Sequence, residues 1–333
     1  CQQDGVDIRY ATHGVNLLRD DNGRVNGLKV LGPDGYEDIP ARSVVLAAGG
    51  FEANAEMRCR YLGQGWELVK VRGIPYNTGD GIRMALEAGA QAHGHWSSCH
   101  AVAWDMNAPA FGDRVITELF QKHSYPFGLI VNLEGDRFLD EGADFRNYTY
   151  VTYGRALLTQ PQGLAFQIFD EKVKHLLRDE YHIPQVTMAQ ADTIEELATR
   201  LDIDPQGLVK TINEYNAAVR TDIPYNPTVK DGRHTEGITP PKTNWAETID
   251  TPPYTGYAVT TGISFTFGGV KIDTRGRVVT NAQEPIPGLY AAGEMVGGLF
   301  YYNYPGGSGL SAGMVFGRLS GTSAGQDAMA LKD

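Results

Sequence analysis

Short stretches in which apolar and polar residues alternate, or run continuously apolar, fill the first fifty positions of the chain. Val6-Asp-Ile-Arg-Tyr10, Val15-Asn-Leu-Leu18 and Val25-Asn-Gly-Leu-Lys-Val30 carry this strand pattern. Asp20-Asp-Asn-Gly-Arg24 and Gly32-Pro-Asp-Gly35 supply turn residues between them, so the pattern predicts a meander. Ser43-Val-Val-Leu-Ala-Ala-Gly-Gly50 then arrives as an unbroken apolar run ending in small residues. That is the pattern of a parallel strand buried on both faces whose end meets a ligand.

The period changes after Thr78-Gly-Asp-Gly81. Ile82, Ala85, Leu86 and Gly89 fall on one helical face, with Asp80 as the expected cap. From about residue 91 to 251 aromatic and charged residues become more frequent. Asp192-Thr-Ile-Glu195 has capping-box spacing and predicts a helix through Arg200. Asp204-Pro-Gln-Gly opens another that turns Leu208, Ile212 and Tyr215 inward. Pro- and Thr-rich sequence over 238–254 reads as a return linker, after which Val270-Lys-Ile-Asp273 predicts a strand. Ile286-Pro-Gly-Leu-Tyr-Ala-Ala-Gly-Glu294 is a further apolar strand running into small residues and a carboxylate, and a glycine-rich helix start follows near residues 306–310. The expected fold is α/β with an α+β cap. Residues 1–90 and 256–333 form a partial Rossmann-like dinucleotide-binding domain, and 91–255 an inserted substrate or cap domain.

Composition narrows the function. With 333 residues, 42% of them hydrophobic, the chain is long enough for two cores. Its 29 basic and 40 acidic residues give a net charge of −11, which argues against a nucleic-acid surface; an anionic substrate needs a local basic cluster. No apolar run reaches the length that crosses a bilayer. Cys1, Cys59 and Cys99 form neither a metal box nor a disulfide framework, so no metal is expected and a reducing, cytoplasmic setting is. The chain starts with Cys rather than Met and contains no G-x-G-x-x-G turn, the usual seat of a dinucleotide pyrophosphate. The expectation is that this unit lies outside the chain or is supplied by another one.

Val44-Val-Leu-Ala-Ala-Gly-Gly-Phe51, Thr78-Gly-Asp-Gly81, Val131-Asn-Leu-Glu-Gly-Asp-Arg-Phe-Leu-Asp-Glu141, Phe267-Gly-Gly-Val270 and the Gly-Leu-Tyr-Ala-Ala-Gly-Glu close occur in this order. Together they resemble the fumarate reductase/succinate dehydrogenase flavoprotein superfamily across essentially the whole chain. Asp140-Glu-Gly-Ala-Asp-Phe-Arg-Asn147 and the stretch from Gly298 to Gly309 look most like its tricarballylate dehydrogenase branch. The resemblance implies an FAD-dependent oxidoreductase that moves hydride at flavin N5, acts on a small polycarboxylate and passes electrons to an acceptor it does not identify. It implies cofactor contacts at Ala48, Gly49, Gly50, Gly293 and Glu294, and a helix start at Gly306, Gly307, Ser308, Gly309 and Leu310 facing the flavin. Val115-Ile-Thr-Glu118 matches a segment in which Thr117 binds a substrate carboxylate and Glu118 relays protons. Arg146 lies one residue from the family's catalytic arginine, as acid or as carboxylate clamp. Phe265 and Tyr304 replace two expected carboxylate ligands, a His and an Arg, which argues against fumarate or succinate. Tyr304 also resembles the carbonyl-polarising tyrosine of the ketosteroid dehydrogenase branch. His100 and His123 are candidates to restore the lost positive charge.

A rival reading comes from Gly309-Leu-Ser-Ala-Gly313 and Gly321-Thr-Ser-Ala-Gly325, two G-x-S-x-G pentapeptides. In a flavin-free chain Ser311, brought to His100 or His123, predicts an ester hydrolase. An inactive fragment, or a subunit completed by another chain, is the third alternative.

Overall fold

Residues 2–331 are described by the computed structural model; Cys1 lies outside them. The first strands follow the turn chemistry of the sequence. β1 (His13–Arg19) pairs antiparallel with β2 (Val25–Gly32), and β2 with β3 (Gly35–Pro40). Asp20 Oδ1 closes the first turn by accepting from the backbone N–H groups of Asn22 and Arg24. Residues 6–10, expected as a strand, are irregular, and Val6, Ile8 and Tyr10 stand exposed. Alternation alone makes no strand where no neighbour offers a ladder. Of the apolar run 43–50 only β4 (Val44–Leu46) is strand, and the small residues after it leave the sheet.

α1 (Ala55–Leu62), β5 (Lys70–Val71), α2 (Asp80–Glu87) and β6 (Ala92–Asp105) come next. α2 buries Ile82, Met84 and Ala85. Its cap is Gly79, with a left-handed φ of 86°, while Asp80 is the first helical residue and accepts from the Thr78 hydroxyl.

The middle of the chain holds β7 (Leu129–Val131), α3 (Arg146–Leu158), β8 (Leu164–Phe169), β9 (Met188–Ala191), α4 (Ile194–Leu201) and α5 (Pro205–Ala218). Thr193 caps α4 by accepting from Glu196 N at 3.1 Å, one residue later than the expected Asp192. α5 starts where the sequence predicts. Asp204 accepts from Gln206 N, and Pro205 sits at the first turn, where a missing N–H is harmless. Leu208, Ile212 and Tyr215 are buried, each contributing about 1.5–3 kcal/mol of transfer free energy.

β10 (Tyr254–Val270) is the spine. It runs antiparallel to β6 along most of its length, antiparallel to β8 and β9 near its start, and parallel to β5 at Gly262 and Ile263. Val270 is its last residue, so the strand expected over 270–273 is the end of a longer one. β7 extends this sheet through β8. β11 (Arg277–Val279) and β12 (Pro285–Ala291) follow, and β12 lies between β11 and β4, parallel to β4. α6 (Ser308–Ala330) closes the described chain. The architecture is the mixed α/β fold expected.

Two features of this framework position the site. β6 and β10 place His100 opposite Phe265 in register. α3 can lie directly on β6 because residue 154 is Gly: a Cβ there would stand 2.3 Å from Val102 N. The same contact lets Thr261 Oγ1 donate to Gly154 O at 2.9 Å. Tyr150, one turn earlier on α3, is thereby held over His100, their ring centroids 5.1 Å apart.

Candidate active site

Parallel pairing of Leu46 with Ala291 brings the ends of β4 and β12 together, and Ala292 N donates to Leu46 O at 3.0 Å. The segments that leave these ends, 47–50 and 292–294, therefore run side by side. A side chain at Gly50 has no room: its Cβ would fall 2.1 Å from Glu294 Oε1 and 2.2 Å from Thr266 Oγ1. Glu294 Oε1 accepts from Thr266 N at 2.7 Å and from its hydroxyl at 3.3 Å. Glu52 Oε1 accepts from Asn77 Nδ2 at 2.5 Å, and its carboxyl lies beside that of Glu294. Burial, and then the neighbouring carboxyl, push Glu294 well above the usual carboxylate range, and burial raises Glu52. The pair holds a proton.

Glu294 lines a cavity of about 290 Å³ together with Thr266, Gly293, Tyr304, Gly309 and Leu310. The α6 start forms one wall, with Gly307 as a left-handed cap and the Tyr304 hydroxyl accepting from Gly309 N at 2.9 Å. Ser264, Phe265, Tyr304 and Leu310 also line a larger cavity, of about 610 Å³, so the two share a wall. Ala48 and Gly49 face α2 and Asn77 instead and line neither. Gly306 and Ser308 lie beside the helix start without lining either cavity, and the Ser308 hydroxyl donates to Pro305 O at 2.5 Å.

The larger cavity gathers Thr117, Glu118, His100 and Tyr304, four of the residues the sequence singled out, and Gly307. Thr117 has a left-handed φ of 56°, uncommon for a β-branched residue. The structure adds two side chains that the sequence reading missed. Arg72, just after β5, forms an ion pair with Glu118, and its Nη1 lies 3.4 Å from Ser264 Oγ. Tyr150 Oη lies 2.6 Å from His100 Nε2. Burial, and then the Arg72 charge, push His100 down to about 3, so its imidazole is neutral. Burial raises the Tyr150 phenol, which is therefore protonated. Spacing on α3 was the available cue for Tyr150, four residues after Arg146. Arg72 had none, because a two-residue strand paired with a partner almost two hundred residues away leaves no local pattern.

Arg146 and His123 are brought together elsewhere. Arg146 Nη1 lies 3.4 Å from His123 Nδ1, and both line a third cavity, of about 280 Å³, that does not include Thr117 or Tyr304. The Tyr150 ring packs against both histidines, 5.1 Å from His100 and 5.0 Å from His123.

Residues 1–310 match the FAD binding domain family. The chain belongs to it. It is similar to fumarate reductases: it is 32% identical over 321 residues to the fumarate reductase (cytochrome) of Shewanella frigidimarina, covering 96% of this chain and 52% of that protein. It is also 32% identical over 326 residues to the NADH:acrylate oxidoreductase of Vibrio harveyi, 94% of this chain and 30% of that one. Among solved structures, the 3-ketosteroid delta1-dehydrogenase of Sterolibacterium denitrificans superposes with a TM-score of 0.75 at 25% identity, covering 99% of this chain and 61% of the other. The chain spans about half the length of the fumarate reductase it matches.

The residues of this FAD-binding family member fit the cofactor. Glu52 Oε2 is buried without a hydrogen-bond partner, and the Glu294 carboxyl beside it reaches a cavity wall. A ribityl or ribose chain supplies the hydroxyl donors such oxygens lack.

The hydrolase reading is not supported. Both G-x-S-x-G serines lie inside α6 rather than on a strand-to-helix elbow, and Ser311 Oγ donates to Gly307 O at 3.4 Å. His100 and His123 are engaged with Tyr150 and Arg146. Among the described residues no helix is long and apolar enough to cross a membrane.

Proposed function

We propose that this chain is the substrate-binding and flavin-facing part of an FAD-dependent dehydrogenase or reductase that forms or reduces a carbon–carbon double bond next to a carboxylate. The small polycarboxylate tricarballylate is the substrate we favour. The observation that carries the reading is the meeting of Arg72, Thr117, His100, Tyr150 and Tyr304 around one cavity that shares a wall with the Glu294 cavity. Fumarate- and acrylate-reducing relatives support the reaction class; Phe265 and Tyr304, in place of a His and an Arg, favour a substrate other than fumarate.

Glu52, Glu294, Thr266, Gly50 and the α6 start would hold the FAD, which when bound supplies two-electron hydride exchange. The chain's own residues do the rest. Arg72 exchanges its Glu118 partner for a substrate carboxylate, a charge-assisted contact that fixes orientation. The Thr117 hydroxyl donates to the same group. Tyr304 donates to a second carboxylate or carbonyl oxygen as charge develops on it. Tyr150 holds a proton at Oη, in contact with the neutral His100 imidazole, where a substrate carbon requires one gained or lost. Residues 91–255 serve as the substrate side of the fold. A strand–glycine-turn–helix unit, which these residues do not include, would hold the pyrophosphate.

The test is to add FAD to the purified chain, remove free cofactor, record the visible spectrum, and titrate anaerobically with tricarballylate. A retained flavin band that bleaches with tricarballylate supports the reading. A colourless protein overturns it for this chain on its own. A flavin band bleached only by a cyclic ketone moves the substrate to the steroid-like class.

A further inference from the structure

The cavity of Thr117 and Tyr304 contains a second arginine, Arg114, which the chemistry described so far does not use. It comes from a loop whose stem is tied to the segment bearing Arg72. Val71 N donates to Ala110 O at 2.8 Å, and Gly112 N to Gly73 O at 2.7 Å. A Cβ at Gly112 would stand 3.1 Å from both Gly73 N and Gly73 O, so the two segments cross at their glycines. Arg72 and Arg114 therefore enter one cavity from adjoining backbones. Beyond the crossing, Asp113 fixes the turn that carries Arg114. Its Oδ1 accepts from Val115 N at 2.7 Å and from Ile116 N at 2.9 Å, and its backbone carbonyl accepts from Thr117 N at 2.8 Å. The Ile116 and Val115 N–H groups hold the Asp113 carboxyl below the usual carboxylate range, so it is ionised and already satisfied by the backbone.

Among the described residues, the charged side chains lining this cavity are Arg72, Asp113, Arg114 and Glu118. Glu118 is ion-paired with Arg72, and Asp113 is engaged by its own turn. Arg114 forms no side-chain hydrogen bond or ion pair among the described residues, so its whole fork of donors is left for a ligand. Its charge matters because the chain carries −11 overall and repels a polyanion unless positive groups gather locally. The proposed chemistry gives the substrate two stations: Arg72 with Thr117 for one carboxylate, and Tyr304 for a second. At about 610 Å³ the cavity lies well within the range of ligand pockets, roughly 300–1,000 Å³, and has room for more than a four-carbon diacid. Tricarballylate is succinate bearing one further carboxymethyl arm. With Arg114 counted, donor stations and carboxylates match in number.

We propose that Arg114 is the specificity-determining residue of this cavity: it reads a third carboxylate, on the arm that takes no part in the redox step, and so selects tricarboxylates over dicarboxylates of the same backbone. The proposal rests on the polycarboxylate reading of the cavity and adds to it the residue that recognises the extra arm. Arg72 and Thr117 orient the reacting end. Arg114 makes a charge-assisted contact at the far end, which raises affinity without touching the reacting carbons.

Calorimetric titration of the purified flavin-free chain with tricarballylate, methylsuccinate and succinate checks the proposal, methylsuccinate having part of the arm's bulk without its charge. The parent should bind tricarballylate about tenfold or more tighter than methylsuccinate, the effect of one hydrogen-bonded charge. Arg114→Gln should lose that preference and bind methylsuccinate as the parent does, and Arg114→Lys, which keeps the charge but not the fork, should retain part of it. Arg114 is exposed, and thermal melts confirm that its substitutions leave the fold intact. A preference that survives in Arg114→Gln overturns the proposal; if tricarballylate binding still falls with Arg72→Gln, the polycarboxylate reading stands without it. Equal weakening of all three acids by Arg114→Gln also overturns the proposal, because the arginine then attracts anions without reading the arm. Failure of the parent to bind any of the three acids overturns both.

Discussion

Tyr150 Oη lies 2.6 Å from His100 Nε2, and the Tyr150 ring packs against both His100 and His123, with centroids 5.1 and 5.0 Å away. One phenol on α3 therefore touches a histidine of each of two cavities. Its hydroxyl meets the imidazole of His100, whose own ring stacks on Phe265 with centroids 5.2 Å apart.

Tyr150→Phe should keep the ring and remove only the hydroxyl. Positioned proton donors contribute about 10²–10⁴-fold to rate, so turnover of the flavin-loaded protein should fall at least tenfold. His100 Nε2 is left buried without a partner, a cost of about 1–3 kcal/mol that lowers the melting temperature. Steady-state rates and thermal melts check both. Unchanged turnover would remove Tyr150 from the proton path.

The two buried histidines make the fold acid-sensitive. Burial and Arg72 hold His100 near 3, and burial and Arg146 hold His123 well below its ordinary value. Below pH about 6.5 the unfolded chain binds protons that the folded chain refuses. The stability these groups confer is complete above that pH and is lost as pH falls from about 6.5 toward 3. His100→Gln, which cannot titrate, should lose less stability than the parent over this range, by up to about 1.4 kcal/mol per pH unit. Denaturant melts at pH 5 and 7 measure the difference.

Glu52 and Glu294 act with the opposite sign. Both are raised in the folded chain, so their proton is bound more tightly there than in the unfolded chain. Stability falls as pH rises from the ordinary carboxylate range through their raised values. Glu52→Gln keeps a neutral hydrogen-bonding group in place of the protonated acid. It should match the parent near pH 4 and exceed it by about 1 kcal/mol or more near pH 8. A variant less stable than the parent at pH 8 would show that the pair is ionised and separately solvated.

Gly154→Ala drives a methyl group to within 2.3 Å of Val102 N, where backbone cannot yield as a side chain end would. Overpacking of this kind costs about 1–3 kcal/mol, and here it also lifts α3 from β6. Loss of stability should be accompanied by weaker coupling of Tyr150 to His100, read as a shift in the His100 ring signals by NMR. Melting data showing no loss would mean that α3 does not sit against β6 through this glycine.

The parts of the protein that the sequence determined are those set by neighbours in the chain. The β1–β2–β3 meander follows from Asp20 and its turn. The α5 start follows from Asp204 and Pro205, and its inward face from the period of Leu208, Ile212 and Tyr215. Ordered glycine motifs were enough to identify the flavoprotein family, because close backbone approach imposes Gly at points such as Gly50 whatever else changes. Capping shifted by one residue, from Asp192 to Thr193, because neighbouring cap-forming residues compete on energies of about 1 kcal/mol.

Tertiary structure alone decided which charged residues share a cavity. Arg72 reaches Glu118 because β5 pairs in parallel with Gly262 and Ile263, a contact between distant segments with no trace in either. Arg146 stood out in the sequence but its neighbourhood did not: it opens α3 and lines the cavity of His123 rather than that of Thr117. A sequence fixes the period and the ends of its helices and strands through local hydrogen bonds and side-chain volumes. Which faces meet, and hence which cavity a side chain joins, depends on packing summed over the whole fold.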